Sequence, residues 1–258
     1  MKRTLNDLIE LMATLRSPNG CPWDREQTHQ SLKSYVVEEA YEVLDAIDRG
    51  DLDELREELG DLLFQVVFQA QLAREAGHFD LYDVITSIHE KMVRRHPHVF
   101  GEGEAATAAD VEVSWDALKA AEGRDRFGHL PRHLPALLKA LRITEKAQKV
   151  GFDWPDAAGA REKVTDELAE LDAALESADP AALADEFGDL LFSVVNWGRK
   201  LSLNPEDLLQ HACDKFIARF RQMEAAICAR GQSLDELDLA EMDRVWDAIK
   251  RGAGGTDR

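Results

Sequence analysis

The chain repeats itself, and no other feature restricts its possible folds as strongly. Residues 58–67 read ELGDLLFQVV and residues 186–195 read EFGDLLFSVV, an offset of 128 positions. The same offset carries Glu38, Glu39 and Glu42 onto Asp166, Glu167 and Glu170. Smaller matches flank this block at slightly different offsets, as loop insertions produce. Gly20-x-x-Trp23 pairs with Gly151-x-x-Trp154, DVITSIHEKMVRR (83–95) with DLLQHACDKFIAR (207–219), and WDALK (115–119) with WDAIK (246–250). Two tandem copies of one domain are expected, at residues 1–122 and 132–250. A Gly-, Pro- and charge-rich linker at 123–131 joins them, and a flexible tail follows at 251–258.

Both copies read as helix. Val164, Leu168, Leu171 and Leu175 fall at i, i+4, i+7 and i+11, one apolar stripe expected to face a core. Their counterparts are Val36, Ala40, Val43 and Ile47. The next helix carries Leu183, Phe187, Leu190, Leu191, Val194 and Val195, matched by Leu55, Leu59, Leu62, Leu63, Val66 and Val67. Arg49-Gly50 and Asp179-Pro180 break the pairs, glycine at a helix end and proline at a helix start. No alternating strand pattern of useful length interrupts this. The expected class is all-α, with two tandem helical bundles.

The repeated acids have a spacing that suggests chemistry. Glu167 and Glu170 are i, i+3 neighbours, as are Glu186 and Asp189 on the following helix, and such pairs lie about 5–6 Å apart at Cβ. Antiparallel packing of the two helices brings four carboxylates to one groove, and Glu39, Glu42, Glu58 and Asp61 do the same in the first copy. Such a set suits Mg²⁺, a hard ion that takes oxygen ligands at about 2.0–2.1 Å. Without a cation the carboxylates repel one another and their pKa values rise. One E-x-x-E in a chain with 31% charged residues is ordinarily a solvated helix face. The ordered set occurring twice with identical internal spacing is not. Di-iron bundles use Glu plus E-x-x-H pairs. Glu26/His29 and Glu75/His78 have that spacing, but neither recurs in the other copy, so hard-ion chemistry is favoured.

The formal net charge of −19 argues against a nucleic-acid groove. It does not exclude a nucleotide whose phosphates arrive with a divalent cation. The longest nearly apolar stretch, Leu62 to Phe68, contains Gln65 and is far short of a membrane span. The amphipathic N-terminus is no signal peptide. Cys21, Cys213 and Cys228 lack metal-ligand spacing and read as reduced thiols. A soluble, cytoplasmic protein is expected, with no membrane partner.

On these residues the chain resembles the MazG nucleoside triphosphate pyrophosphohydrolases, whose signature is E-E-x-x-E followed by E-x-x-D. CPWDREQT (21–28), RRHPHVF (94–100) and VGFDW (150–154) are similar to the long, two-domain bacterial form, and the resemblance spares only RGAGGTDR (251–258). It implies the all-α NTP pyrophosphatase fold, Mg²⁺ dependence and a homodimer. It also implies hydrolysis of NTPs or dNTPs to monophosphate and pyrophosphate, with nucleotide-pool house-cleaning as a role. Catalytic, metal-holding positions carry over onto Glu167, Glu170, Glu186 and Asp189, and nucleotide contacts onto Lys163, Lys215, Arg219 and Trp246. Homologous metal positions in the first copy are Glu39, Glu42, Glu58 and Asp61.

The copies differ where a polyphosphate site is sensitive. Tyr35 stands at the position of Lys163, and Phe68 at that of Asn196. Asn196 therefore joins the expected substrate contacts, and the second copy is expected to be the main catalytic unit. Lys91 and Arg95 match Lys215 and Arg219, so the first copy keeps part of a phosphate face. Two other readings fit the residues. One is a pyrophosphohydrolase of narrow (deoxy)nucleotide or phosphoribosyl-ATP specificity, with the same chemistry and another base pocket. The other is a non-catalytic metal-binding module, against which the cations in an acidic chain weigh.

Overall fold

The computed structural model describes residues 2–103, 105, 107, 110, 111, 115 and 130–253. Of the expected linker only 130 and 131 lie among them, and of the expected tail only 251–253. Among the described residues no strand occurs, and the chain divides into two compact units, Met1–Glu122 and Gly123–Arg258.

The first unit contains α1 (Leu5–Leu15), α2 (Pro22–Glu26), α3 (Lys33–Arg49), α4 (Leu52–Glu75), α5 (Leu81–Arg95) and α6 (Pro97–Phe100). The second contains α7 (Ala136–Gln148), α8 (Ala157–Ser177), α9 (Pro180–Lys200), α10 (Pro205–Cys228) and α11 (Leu239–Ala253), with a 3₁₀ turn at Leu234–Glu236 before α11. The last helix thus runs on through Arg251 and Gly252 to Ala253, positions expected to begin the tail. No helix among the described residues is long and apolar enough to cross a membrane.

Each unit is organised around one helical hairpin, α3–α4 or α8–α9, with α1 packed on α4 and α7 on α9. The hairpin turns follow from local chemistry. Gly50 ends α3 in the left-handed conformation (φ 68°), and Asp51 starts α4 by accepting from the amides of Asp53 (3.0 Å) and Glu54 (3.1 Å). In the second unit Asp179 caps α9 in the same way, accepting from Ala181 N at 2.9 Å, with Pro180 in the first turn. The residue equivalent to Gly50 is Ala178, which keeps the left-handed backbone (φ 52°) despite its Cβ.

The buried face of α8 is not the one the apolar periodicity marks. On α8 the buried residues are Ala160, Glu167 and Ala174, at i, i+7 and i+14. Leu168 is 46% exposed and Leu175 is also exposed, while Val164 and Leu171 are half-buried. Ile47, the counterpart of Leu175, is exposed as well. The expectation that this stripe lines the unit's own core is corrected accordingly. Periodicity identifies an apolar face but not which molecule covers it. On α9, Ser193 and Val195 are buried whereas Phe187, Leu191 and Val194 face outward, and α4 repeats this with Gln65 and Val67 inside. The intrachain cores gather around Met12, Leu32, Val67 and Phe68 in the first unit, where α4 contributes its C-terminal half, and around Met223, Ile227 and Val245 in the second.

Candidate metal centre

The α8–α9 hairpin brings Glu167, Glu170 and Glu186 together, with one carboxylate oxygen from each lying within 4.8 Å of the others. Glu167 is the most enclosed, at 3% exposed. Its Oε1 accepts from Lys163 Nζ at 2.6 Å, and Lys163 also stands 3.7 Å from Glu170 Oε2. That hydrogen bond to Glu167 raises the Lys163 pKa above the usual lysine value. The second oxygen of Glu167, Oε2, is buried with no hydrogen-bond partner among the described residues. A buried acceptor left unpaired costs about 1–3 kcal/mol, a cost that a bound cation would remove.

Glu186 has its carboxyl pushed up, first by desolvation and then by the charges of Glu170, Glu167 and Asp189. Asp189 stands outside the trio and acts on it through its field. The donor set is entirely hard oxygen, with one buried oxygen unpaired and one carboxyl resisting ionisation. That set fits Mg²⁺.

The first unit gathers Glu39, Glu58 and Asp61 within the same 4.8 Å, leaving Glu42 outside. Desolvation raises the carboxyl of Glu39, with Asp61 adding to it, and desolvation likewise raises Glu58, with Glu42 and Asp61 adding. Gln65 Nε2 donates to Glu39 Oε1 at 3.4 Å. The two clusters therefore resemble each other but omit different members of the expected four, Glu42 in one and Asp189 in the other.

Beside the second cluster lies a cavity of about 660 Å³. Lys163, Glu167 and Asp189 line its acidic side, and Ile143, Phe152, Trp154 and Phe192 supply apolar wall. A volume in this range with a few polar groups suits a ligand of nucleotide size. Trp154 fits over the start of α8 because Gly159 is there; a Cβ on that residue would come within 2.9 Å of the indole. In the first unit aromatic rings take the corresponding positions. Tyr35, in the place of Lys163, meets Trp23 edge-on with centroids 5.8 Å apart. Phe68, in the place of Asn196, is 1% exposed and packs edge-on with Phe64.

The other expected nucleotide contacts are not among the residues that line this cavity. Lys215 is exposed and Arg219 half-buried on α10, and Trp246 on α11 packs against Phe216 at 5.1 Å and against the Met223–Ile227–Val245 core. None of the three lines the cavity. The i, i+4 spacing of Lys215 and Arg219 marks a shared helix face but not what that face meets. Conversely, the wall includes two charged residues that sequence reasoning missed, Asp153 and Arg199. Arg199 donates to Asn196 Oδ1 from Nε (3.0 Å) and Nη2 (2.8 Å), to Gln148 Oε1 from Nη1 (2.7 Å), and also to Asp153. Lys200 Nζ donates to the other Asp153 oxygen at 3.0 Å and to the Trp154 carbonyl at 2.7 Å. A signal for Arg199 existed in the internal comparison, because the first copy has Gln71 there.

Comparison with known proteins agrees with this duplicated arrangement. The family model for the MazG nucleotide pyrophosphohydrolase domain matches twice, at residues 27–100 and 158–223. The chain is 48% identical over 250 residues to the nucleoside triphosphate pyrophosphohydrolase/pyrophosphatase MazG of Thermotoga maritima, covering 95% of each chain. It is 45% identical over 255 residues to a nucleoside triphosphate pyrophosphohydrolase of Escherichia coli strain K12, covering 96% of this chain and 97% of the relative. With the nucleoside triphosphate pyrophosphohydrolase of Mycolicibacterium smegmatis it shares 32% identity over 264 residues, 96% of this chain and 70% of that one.

Proposed function

This chain belongs to the MazG nucleotide pyrophosphohydrolase family, and from that premise we propose that its second unit hydrolyses nucleoside triphosphates to monophosphate and pyrophosphate. One observation carries the choice of unit. Glu167, Glu170 and Glu186 converge beside an open cavity, whereas Tyr35 and Phe68 fill the equivalent positions in the first unit.

In this reading Glu167, Glu170 and Glu186 hold Mg²⁺, with Asp189 at the margin. When bound, the ion supplies a Lewis-acid centre that offsets polyphosphate charge. Lys163, at the acidic side of the cavity, offers its ammonium to a phosphate oxygen while staying beside Glu167. Ile143, Phe152, Trp154 and Phe192 offer the nucleoside an apolar wall. Of the two candidate bases, Glu167 and Glu170, this reading assigns the proton of the attacking water to Glu170, the exposed one. The water oxygen bonds to phosphorus, the phosphoanhydride P–O bond breaks, and pyrophosphate leaves with the electron pair.

A second copy of the chain is the partner this reading assigns to the outward apolar face of Leu168, Leu175, Phe187 and Leu191, as a homodimer. Pyrophosphate release from a panel of NTPs and dNTPs, with Mg²⁺ and with chelator, tests the activity. Release with the metal and its loss in chelator are expected. Equal release in both conditions would refute the metal assignment, and no release from any nucleotide would refute the activity.

A further inference from the structure

We propose that Asn196 reads the nucleobase edge in this site and that Arg199 fixes which of its atoms the base meets. The inference rests on the second unit being the nucleotide site. Asn196 follows Asp189 by seven residues on α9, so at about 1.5 Å per residue it lies roughly 10 Å further along the helix. That separation suits a nucleotide with its phosphates at the acids and its base by Asn196. The amide has no choice of orientation. Both contacts from Arg199, at 3.0 and 2.8 Å, go to one atom of Asn196, and arginine has donors only, so that atom is Oδ1. Arg199 is itself held by Asp153 and Gln148 and is almost buried.

With Oδ1 occupied, Asn196 has only its Nδ2 hydrogens to offer a ligand. Ile143, Ala147 and Phe192, also in the cavity wall, cannot compensate a mispaired polar group. The Thr144 hydroxyl has its proton committed to the Ala140 and Leu141 carbonyls and cannot donate to a base carbonyl in place of Asn196, while the Ser193 hydroxyl donates or accepts equally well and does not discriminate. A base carrying a carbonyl at the recognised edge pairs with this donor, and one carrying an amino group there does not. The first copy lacks both halves of the device, with Phe68 and Gln71 at these positions.

The test compares inosine triphosphate with ATP, whose bases differ at C6, a carbonyl against an amino group, and at the adjoining N1, protonated in the first and an acceptor in the second. Wild type is expected to favour inosine triphosphate in kcat/KM by about tenfold, mostly through KM, the discrimination one mispaired, half-buried donor gives. Asn196→Asp places an acceptor there and reverses the preference. Arg199→Gln frees the amide to turn over and draws the ratio towards one by raising KM for the inosine nucleotide. Equal kcat/KM for the two nucleotides in wild type, or a ratio that neither variant changes, overturns the proposal while leaving the pyrophosphohydrolase reading intact. Failure to hydrolyse either nucleotide removes that reading and this one together.

Discussion

Lys163 Nζ rests 2.6 Å from Oε1 of Glu167, one turn along the same helix, so the most enclosed acid of the cluster has a built-in cation beside it. Replacing Lys163 with Met leaves that carboxylate facing Glu170 and Glu186 unaided. Lys163 is 40% exposed, so solvent screens the pair and the expected loss without divalent cation is about 1 kcal/mol. Thermal unfolding should show a lower midpoint for Lys163→Met in chelator and a larger rise on adding Mg²⁺ than wild type gives. A smaller rise in the variant contradicts the placement of the ion.

Ala178 occupies the left-handed position that Gly50 occupies in the first unit. A Cβ there is strained, so Ala178→Gly is expected to stabilise the protein by about 1 kcal/mol in denaturant unfolding, and Gly50→Ala to destabilise it by a similar amount. Nothing lies within 4 Å of a Cβ built on Gly50, so backbone conformation is the cause being measured. Unchanged stability in both variants contradicts it.

Phe68 and Asn196 occupy equivalent positions but do different work. Phe68→Ala removes a fully buried ring from the first unit's core and should cost about 3–5 kcal/mol by chemical denaturation. Asn196→Ala takes an acceptor from the nearly buried Arg199 and should cost about 1–3 kcal/mol, less than the ring, with a further effect on KM. Comparable stability losses would mean the second unit's cavity is not an open site.

Asp153 supplies a pH dependence whose sign follows from its partners. Burial pushes its carboxyl up, but hydrogen bonds and charge from Arg199 and Lys200 together outweigh that and hold it below the usual carboxylate range. A group depressed in the folded state adds stability above its ordinary value, about 3.9, and that stability is lost as pH falls towards the folded value. Wild type should exceed Asp153→Asn in melting temperature at pH 7, with the gap closing on acidification below about pH 4. A gap that widens in acid contradicts this.

Much of the architecture was legible because it is written twice. The recurrence of E-x-x-E and E-x-x-D fixed which helices pair, and Gly50 and Pro180 marked where the hairpins turn. Burial was less legible. Leu168 and Glu167 are adjacent, and hydropathy placed the leucine inside, but the acid is buried and the leucine exposed. Local sequence cannot say that a helix leaves its apolar face outward and turns a carboxylate inward. The Asp153–Arg199 pair was equally hidden, since its partners are 46 residues apart and no periodicity links them. The repeated G-x-x-W was visible as a pattern but not in its consequence, with Trp154 lining a cavity and Trp23 stacked edge-on against Tyr35.

The central question is which carboxylate cluster performs the hydrolysis. Pyrophosphate release measured side by side for Glu186→Gln and Glu58→Gln, equivalent positions in the two units, decides it. Each substitution keeps the side chain's size and removes one charged ligand. The expected result is a fall in kcat of about 10²-fold or more for Glu186→Gln, with a much smaller effect for Glu58→Gln. An equal or greater loss at Glu58 would contradict the assignment of the chemistry to the second unit.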